Sequence, residues 1–435
     1  MYYKIVAILL LVVITTQPLQ SARILSIFGH EGPSQYIFVE PLLKRLAERG
    51  HFVTSITNFE QNVKNDHLRS IFIRENRHLC EALQNATNKH FDIEHFSVNG
   101  KIFSIAYQIA ANILKNPEVV NMVQKETFDL IILDVIFAES LYGLLQYFDA
   151  PIIGMSIFGS SVSIDGLMGN SSPLSYVSSL TMTHRQDENM NFWKRFLNTM
   201  EFILGSVYVH YEYMPANRRF YERQFPNATK TIEDIQKKYA MIFLNDHPVI
   251  TSPRPYVPNM IEVAGLHIPE IPEPLADHVY GILNNTHAFI YIAIGNLFPQ
   301  NIMPGILNQL EQLPYPIIWN ANNSPSSALR IPANVKFYTN LSHYALLAHP
   351  NCKLLISSGN FLSVIESIHF GLPILGLAYS YGNPEYDYRC KPALIIMINS
   401  IVSNFEHDNH HHHHHISVIY KNKNTKLCYN YNTTY

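Results

Sequence analysis

The chain has 435 residues, a formal net charge of -3 and a 47% share of hydrophobic residues. This length suffices for roughly two or three domains that each bury a core. Because there is no surplus of basic residues to neutralise phosphates, the composition argues against a general nucleic-acid-binding role and favours a small-molecule partner.

The first 22 residues have the layout of a secretory signal peptide. Lys4 precedes an apolar block at residues 5–14, and small residues follow at Ser21 and Ala22. The block is too short to span a bilayer, so we expect cleavage near Ala22. The mature chain is then expected in the endoplasmic reticulum lumen or outside the cell. Its four cysteines show no metal-ligand spacing and do not define a disulfide framework.

The mature chain opens with a β-α-β pattern. Residues 23–28 and 51–57 are apolar runs typical of strands, and residues 36–49 have helical periodicity. Gly50 stands where a helix C-cap glycine belongs. The turn after the first strand has no G-x-G-x-x-G motif, so the dinucleotide fingerprint is absent.

Further strands extend this pattern into an open parallel α/β sheet. Strands are predicted at residues 128–133 and 151–155, with a helical stretch at residues 139–147 between them. Residues 169–182 lack periodicity and are predicted to form a long loop. Residues 192–225 are rich in aromatic residues and are predicted to be helical. The first domain is therefore placed at residues 23–252.

A proline-rich stretch at residues 253–275 indicates a linker to a second α/β domain at residues 276–385. Five strands are predicted in that domain, at residues 289–294, 316–319, 335–338, 352–356 and 373–377. After the fourth strand, residues 357–360 supply small residues before an amphipathic helix. Free amides at the start of such a helix would bind an anion above Gly359.

The stretch from Leu347 to Gly376 resembles the sugar-nucleotide signature of the UDP-glycosyltransferases. The matching residues are Ala348, His349, Pro350, Gly359, Ser363, Glu366, Gly371 and Pro373. The segment at residues 192–225 and its neighbouring loops resemble the insect-type members most. The resemblance implies two Rossmann-like parallel-sheet domains that face each other across a cleft, the GT-B architecture, with the acceptor on the first and the UDP-sugar on the second.

The family moves a hexose from a UDP-sugar to a hydroxyl of a small lipophilic acceptor, with inversion and without a metal or other cofactor. The donor-site positions implied by the resemblance are Gly295, Asn296, Asn340, His343, Ser358, Gly359, Asn360, Ser363, Glu366, Gly382 and Asn383. Several depart from the family pattern: Asn340 replaces a Trp, His343 a Gln, Ser358 a His and Asn360 a Gly. Gly382 and Asn383 replace an Asp-Gln pair. For Ser363 and Glu366, a helix-capping pair is the alternative interpretation.

On the acceptor side, the family's catalytic base is a His at the position of Gln35, and the Asp that orients it matches Asp134. A carboxamide hydrogen-bonds but does not titrate, so Gln35 cannot take the acceptor's proton. His30 in the same loop is a candidate substitute base or an ordinary loop histidine. Asp134 has the alternative of capping the next helix.

The resemblance ends near residue 383, where animal members continue to a membrane-spanning helix. Residues 386–435 instead contain a run of six histidines and an Asn/Lys/Tyr-rich end, interpreted as a low-complexity tail. The second domain is therefore expected to be incomplete and the mature chain to lack a membrane-spanning helix. Two functions stay open, a UDP-glycosyltransferase and a catalytically impaired relative that binds UDP or small molecules. A truncated product without a stable fold is a third interpretation.

Overall fold

The structure is a computed structural model. It describes residues 21–30, 33–60, 65–89, 99–157, 159–177, 190–247, 254–294, 303–321, 325–326, 329–339, 341–357, 361–376, 415–422 and 425–432. The chain divides into two compact units, Met1–Val263 and Ala264–Tyr435. No helix among the described residues has the length and apolar character needed to cross a membrane.

The first unit contains a seven-stranded parallel sheet in the order β3-β2-β1-β4-β5-β6-β7. Its strands are β1 Arg23–Phe28, β2 Phe52–Thr57, β3 Leu68–Phe72, β4 Leu130–Asp134, β5 Ile152–Ser156, β6 Tyr239–Leu244 and β7 Met260–Glu262. The central strands are apolar on both faces because helices cover both sides of such a sheet. The strand order reverses between β1 and β4, which makes that pair the switch point where ligands of open α/β sheets bind.

Helices connect these strands. They are α1 Pro33–Glu48, α2 Arg77–Lys89, α3 Asn99–Lys115, α4 Pro117–Lys125, α5 Tyr142–Leu145, α6 Val162–Met168, α7 Phe192–Tyr208, α8 Met214–Gln224 and α9 Ile232–Gln236. A 3-10 turn at Ala138–Leu141 precedes α5, and a π-helical turn at Val209–Tyr213 joins α7 to α8. After α1, Gly50 has φ +87°, the left-handed conformation predicted for a C-cap glycine.

The predicted strands of the first domain are all present, but three others were not predicted. Two of them, β3 and β6, lie on either side of the central strands. The third, β7, lies inside the proline-rich stretch predicted as a linker and adds an edge strand to the first sheet. The helical stretch predicted at residues 139–147 is present as a 3-10 turn followed by the short α5.

The second unit contains a sheet in the order β10-β9-β8-β11-β12-β13-β14. Its strands are β8 Phe289–Ala293, β9 Ile317–Asn320, β10 Val335–Tyr338, β11 Cys352–Ser357, β12 Ile374–Gly376, β13 His415–Asn422 and β14 Thr425–Asn432. Its helices are α10 Asp277–Asn284, α11 Met303–Leu310, α12 His343–Leu347 and α13 Phe361–His369. The five predicted strands are present. Within the stretch interpreted as a tail, β13 and β14 form an antiparallel hairpin that pairs with β12.

Each unit has its own hydrophobic core. In the second, the fully buried Trp319 stacks on Phe337 with ring centroids 4.9 Å apart, and β8, β9 and β11 supply the surrounding aliphatic side chains. Cys352 is buried in this sheet, and burial raises the pKa of its thiol to about 12. The switch point of this sheet lies between β8 and β11.

Candidate active site

In the first unit, the candidate catalytic residues lie at the switch point. Asp134 is the last residue of β4, and β4 pairs with β1 in a register that places Leu133 opposite Ile27. Gln35 is in the first turn of α1, the helix that follows β1, and it is half-buried. The carboxyl ends of neighbouring parallel strands lie at the same edge of a sheet. Asp134, which ends β4, and Gln35, which follows β1, are therefore both at that edge.

Asp134 is a buried carboxylic acid with one satisfied oxygen. Its Oδ1 accepts a hydrogen bond from the backbone N–H of Ile136 at 3.0 Å. Its Oδ2 is buried and has no hydrogen-bond partner among the described residues. Burial raises the pKa of Asp134 well above its ordinary value, although the N–H groups of Ile136 and Val135 act in the opposite direction. Asp134 consequently holds a proton more firmly than an exposed aspartate does.

His30 connects the two loops at this edge. Its Nε2 lies 2.9 Å from Oγ of Ser140, and only 3% of the residue is exposed. Burial lowers the pKa of His30 to about 4, against the opposing effect of a hydrogen bond to the backbone of Ala106. His30 is therefore neutral at pH 7 and enclosed. Its geometry is that of a side chain that holds the loop after β1 against the turn after β4.

Aromatic side chains surround this edge. Phe137, three residues after Asp134, has φ +52°, a left-handed conformation that is strained for a bulky residue. Its ring lies 6.2 Å from that of His30 and 5.9 Å from that of Phe103. Phe103 in turn lies 5.1 Å from Tyr213. These rings form an apolar surface next to the polar groups of the switch point.

In the second unit, Ser363 and Glu366 lie on one buried face of α13, the helix that follows β11. The structure excludes the alternative that they are a capping pair. Helix α13 begins at Phe361, so Ser363 lies inside it, and the carboxylate of Glu366 bonds to histidines from other elements.

Two histidines hold Glu366. Its Oε2 lies 3.0 Å from Nε2 of His343 at the start of α12, and its Oε1 lies 3.2 Å from Nε2 of His267. Burial by itself raises the pKa of Glu366, but the hydrogen bonds from the two histidines outweigh it and lower the pKa to about 2. Glu366 is thus an ionised carboxylate at neutral pH, although it is almost fully buried.

A further hydrogen bond orients His343. The hydroxyl of Tyr291 in β8 lies 2.7 Å from Nδ1 of His343, and the side-chain amide of Asn320 lies 3.4 Å from that hydroxyl. No sequence pattern indicated the roles of His267, Tyr291 and Asn320. His267 follows β7 among prolines, and the other two are strand residues. Only the folded chain shows that His267 contacts Glu366 directly and that Tyr291 and Asn320 are linked to it through His343.

The remaining predicted donor positions lie outside the described residues. They are Gly295, Asn296, Asn340, Ser358, Gly359, Asn360, Gly382 and Asn383. The elements next to them along the chain are described. Strand β8 ends just before Gly295, β11 ends just before residue 358, and α13 begins just after residue 360.

Sequence comparisons identify related proteins. The family model described as "UDP-glucoronosyl and UDP-glucosyl transferase" matches residues 24–383. The chain is 28% identical over 375 residues to UDP-glucosyltransferase 2 of Dactylopius coccus, covering 83% of this chain and 70% of that protein. It is 24% identical over 396 residues to UDP-glucuronosyltransferase 3A2 of Mus musculus, covering 84% of this chain and 72% of that protein.

Solved structures show the same fold. The calicheamicin glycosyltransferase CalG4 has a TM-score of 0.50 at 13% identity, with 87% of this chain and 84% of that chain covered. The glycosyltransferase SnogD from Streptomyces nogalater also has a TM-score of 0.50 at 13% identity, with 82% and 81% covered. At such identities the likeness concerns the fold alone, two Rossmann-like domains of the GT-B type.

Proposed function

Because the chain belongs to the UDP-glycosyltransferase family, we propose that it transfers a hexose from a UDP-sugar to the hydroxyl of a small lipophilic acceptor, with inversion and without a metal. The observation that carries the proposal is the ionised Glu366 at the switch point of the second sheet. A carboxylate has about four lone-pair sites, so two remain for ribose hydroxyls after His267 and His343 are bonded. A buried charge is costly, and the two histidines offset that cost.

The apolar rings beside Asp134 support the acceptor class. Phe103, Phe137 and Tyr213 form a surface on which a flat lipophilic molecule packs, while Asp134 and Gln35 lie at the polar edge. Ligand sites of this composition, mostly apolar with a few polar groups that fix orientation, are typical of small-molecule pockets.

In the transfer step, the acceptor oxygen attacks the anomeric carbon, the bond from that carbon to UDP breaks, and the hydroxyl proton leaves. Gln35 cannot take this proton. Asp134 can take this proton. Because its pKa is raised, the ionised Asp134 is a stronger base than an exposed carboxylate. In this proposal, Gln35 orients the hydroxyl and Asp134 receives the proton. The negative charge that develops on UDP is stabilised by the amides at the start of α13.

One observation favours a second function. The base position holds Gln35, and a chain that has lost its base can retain the donor-binding fold. The alternative is a relative that binds UDP or a small apolar ligand and does not catalyse transfer. In either case we propose that the chain enters the secretory pathway through residues 1–22, which lie mostly outside the described residues.

The two functions are separated by binding and turnover measured together. The full chain is secreted from a eukaryotic host, UDP binding is measured by calorimetry, and transfer from UDP-glucose to a phenol is measured by product formation. Both measurements are repeated on two variants. Gln35→His supplies a titratable base, and the control Gln35→Asn changes the same residue but supplies no base.

Turnover in the wild type supports the enzyme and removes the binding-protein alternative. If only Gln35→His transfers sugar, and all three proteins bind UDP with equal affinity, the result supports the catalytically impaired relative. If the wild type binds no UDP and transfers no sugar, the enzyme and the UDP-binding relative both fail.

A further inference from the structure

The sequence Asn-x-Ser/Thr, in which x is any residue but proline, is the acceptor for N-linked oligosaccharides in proteins of the secretory pathway. Several such acceptor sequences occur along the chain. Three of their asparagines have side chains within the part of the chain that the structure describes: Asn170, Asn227 and Asn284. Their surroundings differ, and the differences distinguish an asparagine that can carry a glycan in the folded protein from one that cannot.

Asn227 lies at the tip of a tight turn between α8 and α9. The backbone N–H of Ala228 donates to the carbonyl oxygen of Phe225 at 3.0 Å and closes the turn. Pro226 occupies the second position, where its fixed φ favours a turn, and Asn227 the third. Asn227 and Thr229, the two residues that define the acceptor sequence, are both exposed. An oligosaccharide on Asn227 would therefore extend into solvent.

Neighbouring residues hold this turn in place. The side chain of Phe225 packs against the hydrophobic core of the first unit, and the hydroxyl of Tyr221 donates to the carbonyl oxygen of Lys230 at 2.6 Å. These contacts use neither the amide of Asn227 nor the hydroxyl of Thr229. A glycan on Asn227 consequently leaves the contacts that position the turn intact.

Asn170 has a structural role that a glycan would disrupt. Its side-chain nitrogen, the atom that would carry the sugar, donates to Oδ1 of Asp165 at 2.9 Å and to the carbonyl oxygen of Pro255 at 3.0 Å. Asp165 is 1% exposed, and its other oxygen is paired with Arg254. A glycosylated amide keeps one N–H, so at least one of these hydrogen bonds would be lost, and a sugar ring would have to fit beside a buried carboxylate. The fold therefore excludes a glycan at Asn170.

Asn284 is an intermediate case at the end of α10. It is exposed, but the hydroxyl of Thr286, which belongs to the acceptor sequence, donates to the carbonyl oxygen of Leu283 at 2.8 Å. The side-chain amide of Asn351 holds the same stretch through the carbonyl oxygens of Leu283 and Thr286. Among the asparagines compared, Asn227 thus has the acceptor sequence that is most separate from the contacts of the fold.

We propose that Asn227 carries an N-linked oligosaccharide and that Asn170 is unmodified. This rests on the proposed passage of the chain through the secretory pathway, where such oligosaccharides are added. The donor is an oligosaccharide linked to a lipid diphosphate. The bond from Nδ2 of Asn227 to the first sugar forms as the bond from that sugar to the diphosphate breaks, and Nδ2 gives up one of its two protons.

Site-specific mass spectrometry tests the proposal. The full chain, with residues 1–22, is secreted from a eukaryotic host and treated in heavy-oxygen water with the amidase that removes N-linked glycans. This treatment converts a glycosylated asparagine to an aspartate that carries heavy oxygen. Cleavage after Lys and Arg gives the peptide Gln224–Lys230, and cleavage before Asp gives the peptide Asp165–Gln186. Asn227 and Asn170 are the asparagines of these two peptides. We expect the label in the first peptide and not in the second.

Variants give an independent measurement by electrophoretic mobility. Thr229→Ala destroys the acceptor sequence and should migrate faster than the wild type by the mass of one glycan. Asn227→Gln should migrate like Thr229→Ala. The control Thr229→Ser changes the same residue but keeps the acceptor sequence, and it should migrate like the wild type. After enzymatic removal of all glycans, the four proteins should migrate together.

Three results would overturn the proposal in different ways. An unlabelled Gln224–Lys230 peptide from the secreted wild type would exclude the glycan at Asn227, while passage through the secretory pathway would stand. Label in Asp165–Gln186 would show that the fold accommodates a glycan at Asn170. If the chain stays in the cytosol with residues 1–22 attached, the glycan and the secretory passage both fail.

Discussion

Nε2 of His343 lies 3.0 Å from Oε2 of Glu366, and this hydrogen bond joins the start of α12 to the buried face of α13. With His267 on the other oxygen, it keeps a nearly buried carboxylate ionised. The stability of the second unit consequently depends on the same few side chains that we propose to bind the donor.

The first prediction concerns the pH dependence of stability. The pKa of Glu366 falls from 4.5 to about 2 on folding, so its ionised form stabilises the folded state above about pH 4.5, and this contribution is lost as the pH falls towards 2. Glu366→Gln should lower the free energy of unfolding by roughly 2–4 kcal/mol at pH 6. Urea unfolding at a series of pH values should show that difference shrink below pH 4.5.

The exposed Glu273 provides the control, and Glu273→Gln should unfold like the wild type throughout. A difference between wild type and Glu366→Gln that stays constant from pH 6 to pH 2 would contradict the assigned pKa.

The second prediction concerns His343 as a positioning residue. His343→Ala leaves the Tyr291 hydroxyl and one oxygen of Glu366 without this partner, which should lower the free energy of unfolding by about 1–3 kcal/mol. His343→Gln can still donate to Glu366 and should lose less than half of that amount. Equal losses in the two variants, measured by urea unfolding, would show that the hydrogen bond to Glu366 contributes nothing.

The third prediction is that Asp134→Asn stabilises the protein. Because the folded pKa of Asp134 is raised, its ionised form costs stability as the pH rises above its ordinary pKa of 3.8. An amide keeps the hydrogen bond from Ile136 and carries no charge, so a gain of about 1–3 kcal/mol is expected at pH 7 and none near pH 3. Thermal unfolding measures it, and the exposed Asp66→Asn is the control.

If Asp134→Asn also abolishes sugar transfer while it raises the melting temperature, Asp134 is retained for chemistry at a cost in stability. A lower melting temperature in Asp134→Asn would show that the ionised form has a stabilising partner.

The fourth prediction concerns the buried ion pair between Arg254 and Asp165. Nη2 of Arg254 lies 2.5 Å from Oδ2 of Asp165, while Oδ1 accepts hydrogen bonds from Ser160 and Asn170. Arg254→Ala leaves this carboxylate buried without its cation and should cost about 3–5 kcal/mol of unfolding free energy.

The exposed pair of Arg218 and Glu233 is the comparison, and Arg218→Ala should cost at most about 1 kcal/mol. Similar costs for the two substitutions in urea unfolding would show that burial adds nothing to the pair of Arg254 and Asp165.

Local pattern was sufficient for much of the fold. The apolar runs that become β1, β4, β8 and β11 are continuous because both faces of these strands are buried, and Gly50 ends α1 because its left-handed φ favours glycine. Local pattern did not predict β7. Its three residues lie among prolines and form a strand only because they pair with the edge of β6.

What the sequence by itself determined is the family and the positions along the chain of the family's motif residues, since these follow from residue order and spacing. What only the tertiary structure decided is the state of those groups. The pKa of Glu366 is lowered because His267 and His343 reach it from other elements, and the pKa of Asp134 is raised because the fold buries it. Trp193 and Leu204 of α7 are exposed while Asn198 on the same helix is buried and donates to the carbonyl oxygens of Leu174 and Val177. Ionisation and exposure depend on neighbours in space, which residue order does not specify.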